Sequence, residues 1–300
     1  MSDEIRNSSI PAFIDECATA LKRATAYKVR IDTRFATYMT TLREIALLPH
    51  PRVVNRRDNQ ELQRDRIYRE ATVQFHQLNV STRVWGNQDP DVLSQKLQSV
   101  FSGPILPAPG DDWDPARNSL LELVTAAMLA RYGMTAELTR DSADIIVKIP
   151  GWEEVLAVEV KRPTSVSAIQ KNLKKARKQL RERCKVPGRI GMAVMGFDRT
   201  SALARGNASI SSTHLSGALD KFMRDETAKL YQLAQRADMK LFPTTPFVAG
   251  MLVGTVYLED VGRPTFVGKL AVRPTAPNDD LDRDRIERMA LQLRSASSFD

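Results

Sequence analysis

The chain of 300 residues is poor in the residue types that staple or metallate a fold: it holds two cysteines and three histidines. Cys17 and Cys184 cannot supply a disulfide framework, so a reducing, cytoplasmic setting is expected. His50, His76 and His214 are isolated in sequence and suggest neither a metal cluster nor a Cys/His or Ser/His nucleophile arrangement. No Gly-rich phosphate loop is present. With 14 glycines and 16 prolines, the composition excludes a fibrous protein. The longest apolar run, from Phe247 to Tyr257, is broken by Gly250 and Gly254 and falls short of the roughly 20 residues that cross a bilayer, so no membrane span is predicted. The N-terminus opens Met-Ser-Asp-Glu, without a basic-then-apolar signal region. The acidic runs Asp111, Asp112, Asp114 and Asp279, Asp280, Asp282, Asp284 lack calcium-loop spacing.

What is present is globular: 42% hydrophobic and 27% charged residues, with a net charge of +8. The positive excess is concentrated. Residues 106–160 carry 4 Lys+Arg against 10 Asp+Glu, and residues 161–189 carry 11 against 1. A dense basic patch directly after an acidic segment attracts phosphate backbones. The simpler reading of such a run is a solvated helix face.

Apolar spacing predicts helices over 10–24 and 30–48, with a charged one over 58–78. Asp89-Pro90 caps and opens a fourth through Phe101. Residues 102–112, with two Gly and three Pro, read as a linker, which divides the chain into a helical domain (1–105) and a second domain (106–300). In the second, a helix runs near 115–132. Strands are predicted near 135–139, 144–149 and 155–162, then a basic helix over 165–184 and a strand over 189–197. The fold class is mixed α/β with an α-β-β-β-α-β core. Residues 199–214 read as a loop and 215–239 as a helix. A β-hairpin is expected over 246–272 and a closing helix over 282–295.

Gly151-Trp152 looks like a two-residue type II′ hairpin loop with Gly first. Opposed residues then have numbers summing to 303, which sets Asp144 against Glu159. Like charges directly opposed on one face destabilise a sheet. A divalent cation such as Mg²⁺, which takes carboxylate oxygens and keeps several waters, compensates them. Lys161, two residues past Glu159, projects from the same face. Its ammonium is placed to orient a water or to stabilise a phosphorane-like transition state. The neighbours Val155, Leu156, Ala157, Val158 and Val160 are apolar, so a Glu and a Lys here are costly unless used or solvated.

This segment resembles the PD-(D/E)xK nuclease superfamily over roughly residues 114–198. Asp144 matches its first acidic position and Glu159-Val160-Lys161 its second half, while Ala143 stands where the family name places Pro. The resemblance implies a restriction-endonuclease-like core and a metal held by Asp144, Glu159 and the Val160 carbonyl. Glu122 matches the added acidic residue of the preceding helix, which would join the catalytic set with Asp144, Glu159 and Lys161 as an outer ligand. Gln179 matches a polar position of the following helix. Separate readings exist for each: Asp144 as a turn cap, Glu159 and Lys161 as edge-strand charges, Glu122 in a capping box with Ser119, and Gln179 as a solvated residue.

The expected function is a Mg²⁺- or Mn²⁺-dependent endonuclease acting on nucleic acid, with DNA favoured over RNA. Arg162, Lys171, Lys174, Lys175, Lys178 and Arg181 would hold the backbone without reading sequence. A homodimer would serve cutting of both strands. The competing expectation is a nucleic-acid- or protein-binding module on the same fold, without chemistry.

Overall fold

The computed structural model describes residues 10–47, 59–107, 114–140, 143–197, 205–210, 212–236, 247–258 and 263–274. The predicted closing helix over 282–295 lies outside them.

Four helices open the chain: α1 (Ile10–Thr25), α2 (Thr33–Ala46), α3 (Asn59–Ser81) and α4 (Pro90–Phe101). In α1 the residues Phe13, Cys17, Ala20 and Ala24 recur at helical spacing and are all buried. Asp89 caps α4 by accepting from the Asp91 and Val92 N–H groups, and Pro90 supplies a pre-set first position. Helix α5 (Pro115–Arg131) repeats that device: Asp114 accepts from the Arg117 N–H.

The remaining elements are β1 (Thr135–Leu138), β2 (Ile145–Lys148), β3 (Val155–Lys161), α6 (Ala168–Arg183), β4 (Arg189–Gly196), β5 (Arg205–Ile210), α7 (Ser212–Arg236), β6 (Phe247–Leu258) and β7 (Arg263–Pro274). The strands form one mixed sheet in the order β1-β2-β3-β4-β6-β5, with β7 on β6. From α5 to β4 the element order is the predicted α-β-β-β-α-β. The pairs β1–β2, β2–β3 and β6–β7 are antiparallel, and β3–β4, β4–β6 and β5–β6 are parallel.

Strand alternation sorts side chains between two layers. Leu156, Val158 and Val160 of β3 join a core cluster that also contains residues of α1–α5, so the helical half and one sheet face share a single apolar interior. Ala157 faces the other way, into a cluster with Ile169, Leu173, Ala176 and Leu180 of α6 and Met223 and Leu230 of α7. Burial of each Ile or Leu in that α6 stripe contributes about 1.5–3 kcal/mol. Gly250 of β6 has no room for a side chain, because a Cβ there would stand 2.4 Å from the Phe197 ring and 2.7 Å from Thr227.

Two local expectations are corrected. The β2–β3 register is as predicted, with Ile146 opposite Ala157 and Lys148 opposite Val155. The turn is not type II′ over Gly151-Trp152, however. The Trp152 N–H donates to the Ile149 carbonyl at 3.0 Å, and Gly151 has φ +78°, so Pro150 and Gly151 are the central pair of a type II turn. Proline suits the first central position and glycine the second, and the connection keeps an even residue count, so the register survives. The expected loop over 199–214 contains β5, and α7 begins earlier than expected, at Ser212. Strand β4 covers β6 only to Met251. The polar segment Arg205–Ile210 pairs with the continuation of β6 at Thr255–Leu258, with a register shift, so neighbouring backbone overrides weak propensity.

Candidate active site

Strand β2 begins at Ile145, opposite Val158. One residue further, the next free N–H of β3, on Val160, donates to the Asp144 carboxylate Oδ2 at 2.7 Å. Asp144 therefore finishes the ladder with its side chain. It shares the sheet face of Ile146, and Glu159 and Lys161 share that of Ala157, so all three side chains project on the α6 side.

The three meet at the Lys161 ammonium. It donates to Glu159 Oε2 at 2.8 Å, to the Val160 carbonyl at 3.1 Å and to Asp144 Oδ2 at 3.4 Å. These are the three oxygens that the sequence resemblance names as a cation cradle. Strand β3 is central, between β2 and β4, which excludes the edge-strand reading of Glu159 and Lys161. The side chains of Glu159, Lys161 and Asp144 are 1%, 13% and 21% exposed, so the group is recessed from solvent.

Burial pushes the Glu159 carboxyl above the usual range, and the Asp144 charge adds to the shift, against the Lys161 ammonium. For Lys161, burial works against the charged form. The Asp144 and Glu159 carboxylates outweigh it and hold the amine above the ordinary lysine value. Lys161 is thus an ammonium at neutral pH, a proton donor and not a free base.

Glu122 lies well inside α5, which Asp114 caps, so it closes no box with Ser119; the Ser119 hydroxyl instead meets that of Ser99. Its carboxylate pairs with Lys96 of α4. Burial pushes Glu122 up to about 7, Asp144 adds to the rise, and Lys96 and, more weakly, Lys161 oppose it. Glu122 thus belongs electrostatically to the cluster while its contact is outside it. Among the described residues no group of three or more His, Cys, Asp or Glu side chains is arranged to hold a metal ion.

Lys171, Lys174, Lys175, Lys178 and Arg181 are all exposed on α6, opposite its buried stripe. Arg162 is partly buried and acts electrostatically on Asp114. Gln179 is also partly buried, and its Oε1 is shielded and finds no hydrogen-bond partner among the described residues. His76 is buried and stacked on Phe13, His214 is exposed, and His50 lies outside the described residues.

Sequence reasoning missed Lys96 and a buried polar network at the start of α5. The fully buried Arg117 guanidinium binds Asp114 at 2.7 Å, Glu70 at 2.6 Å, and the Pro104 and Ile105 carbonyls at 3.3 and 3.0 Å. It ties α3 and the end of the α4 segment to the start of α5, and so fixes the helix that carries Glu122. Long-range pairs of this kind leave no local pattern in a sequence. Comparison with protein families, curated proteins and solved structures finds no match to this chain.

Proposed function

We propose that the chain is a metal-dependent nuclease that hydrolyses phosphodiester bonds in DNA, built on a restriction-endonuclease-like core. The observation that carries this reading is the convergence of Asp144 Oδ2, Glu159 Oε2 and the Val160 carbonyl on one cationic point. The donor set is all oxygen, which suits a hard ion such as Mg²⁺ or Mn²⁺ that keeps several waters. Those three groups would hold the ion. When bound, it supplies Lewis-acid polarisation of the phosphate and lowers the pKa of a bound water.

The protein's own groups divide the remaining work. Lys161, kept charged by its carboxylates, donates hydrogen bonds to the phosphate oxygens as negative charge builds on them. The exposed lysines of α6 hold the nucleic-acid backbone by charge, without reading bases. Arg162 follows the Glu159-Val160-Lys161 triplet, and its charge acts on Asp114 at the start of α5. A two-fold dimer would set one such centre on each strand.

One observation favours a second reading. The Lys161 ammonium already compensates both carboxylates, so the cluster is stable as a purely structural feature of a nucleic-acid-binding module.

The two readings are separated by assaying single-stranded, duplex and branched DNA and RNA with the wild type, Asp144→Ala and Lys161→Ala, with and without Mg²⁺. The nuclease reading expects Mg²⁺-dependent cleavage by the wild type. It also expects a loss of about 10²–10³-fold in each variant, with binding retained. Variants that cut as well as the wild type overturn the site assignment. A wild type that takes up no metal yet binds DNA in a salt-weakened manner supports the module.

A further inference from the structure

A lysine ammonium carries three N–H donors. Lys161 meets three acceptors with them: Glu159 Oε2 at 2.8 Å, the Val160 carbonyl at 3.1 Å and Asp144 Oδ2 at 3.4 Å. Its donors are all engaged inside the cluster, and in this state Lys161 has none to give a phosphate oxygen. The same three oxygens are the ones a dication would need. Mg²⁺ sits about 2.0–2.1 Å from its oxygen ligands. An ion at their meeting point would stand against the Lys161 Nζ, where two like charges repel steeply. The carboxylates do not depend on the ammonium alone for their placement. Asp144 Oδ2 also accepts from the Val160 N–H at 2.7 Å, and the Lys161 backbone is paired with Met195 of β4. The flexible four-carbon stem of Lys161 can therefore swing while the strands stay in place.

We propose that Lys161 is the resident counter-ion of the metal-free cradle and the gate to it: a dication enters only as the Lys161 ammonium leaves the oxygens of Asp144, Glu159 and Val160, and the exchange frees its N–H groups for a phosphate. The inference rests on the metal reading above and adds to it an order of assembly. Until a dication is present, Lys161 is withheld from the nucleic acid. Once it is present, the two carboxylates are balanced without Lys161, and the ammonium becomes a donor within one side-chain length of the same centre. Metal occupancy and the readiness of Lys161 are thereby a single event.

The test is reductive methylation of the full-length wild type with formaldehyde and a borane, over a series of MgCl₂ concentrations at constant ionic strength and without nucleic acid. Peptide mass spectrometry reads labelling of Lys161 against that of the exposed Lys174, and calorimetric titration with MgCl₂ reads uptake. An amine that must first break charge-assisted contacts reacts slowly, so Mg²⁺ should raise the Lys161 rate relative to Lys174 by about tenfold, with the same midpoint as the calorimetric uptake. Glu159→Gln, which weakens the shortest of the three contacts, should be labelled fast at Lys161 with or without Mg²⁺; Asp144→Asn takes its place if that variant does not fold. Mg²⁺ uptake with Lys161 still protected overturns the exchange and puts the ion on other oxygens. A Mg²⁺-dependent rise that persists in the variant also overturns it, since the salt then acts elsewhere. Absence of Mg²⁺ uptake by the wild type overturns the metal reading, and the exchange with it.

Discussion

Glu159 is 1% exposed and still carries a charged partner, which only a neighbouring cation makes tolerable. Glu122, paired with Lys96, stands in the same position with a weaker balance. Burial and Asp144 hold its carboxyl at about 7, against 4.5 for a free side chain. The folded state therefore keeps a proton that the unfolded chain gives up. The stability this confers is complete below the unfolded value of about 4.5 and is lost as pH rises through about 7. Between about pH 5 and about pH 7.5 the melting temperature of the metal-free wild type should fall. Glu122→Gln should remove the share of that fall that comes from Glu122. Thermal melts across this range decide it, and an identical slope in the two proteins contradicts the assigned burial of Glu122.

Strand β1 lies at one end of the sheet, and a side chain covers its outer edge. The Gln88 amide donates to the Ala136 carbonyl at 2.9 Å, and its Oε1 accepts from the Leu138 N–H at 2.7 Å. One glutamine thus imitates a pairing strand and protects an edge that would otherwise seek another chain. Gln88→Leu leaves two buried backbone groups unsatisfied and should cost about 2–4 kcal/mol. Urea denaturation measures this, and a change within about 0.5 kcal/mol would show that water replaces the amide without loss.

The same scale shows which elements were legible beforehand. The β2–β3 register follows from alternation and an even connection, so it was readable even with the turn type misassigned. The α5 start was readable because Asp114-Pro115 is a local signal. Strand β5 was not, since Arg-Gly-Asn-Ala-Ser-Ile is polar and pairs only because β6 outruns β4. The trio Asp144, Glu159 and Lys161 was legible because hairpin geometry brings its members together. The contact of Lys96 with Glu122 is set by how α4 packs on α5 and has no signature along the chain.

At the scale of the molecule, a sheet separates two helical layers, and the candidate centre opens where β2 begins and β3 ends. The Lys96–Glu122 pair acts electrostatically on that centre from the helical half, while the centre's own side chains project on the α6 side of the sheet. No helix among the described residues is long and apolar enough to cross a membrane. On the nuclease reading proposed above, the exposed lysines would hold a long charged polymer, and the recessed oxygen-lined cluster with its one ammonium would meet a single phosphate. The most direct check is Mg²⁺-dependent cleavage of supercoiled plasmid DNA by the wild type beside Glu159→Gln, which keeps the shape of residue 159 and removes its charge. The account predicts nicking or linearisation by the wild type and none by the variant. Equal cutting by both, or an inert wild type, contradicts it.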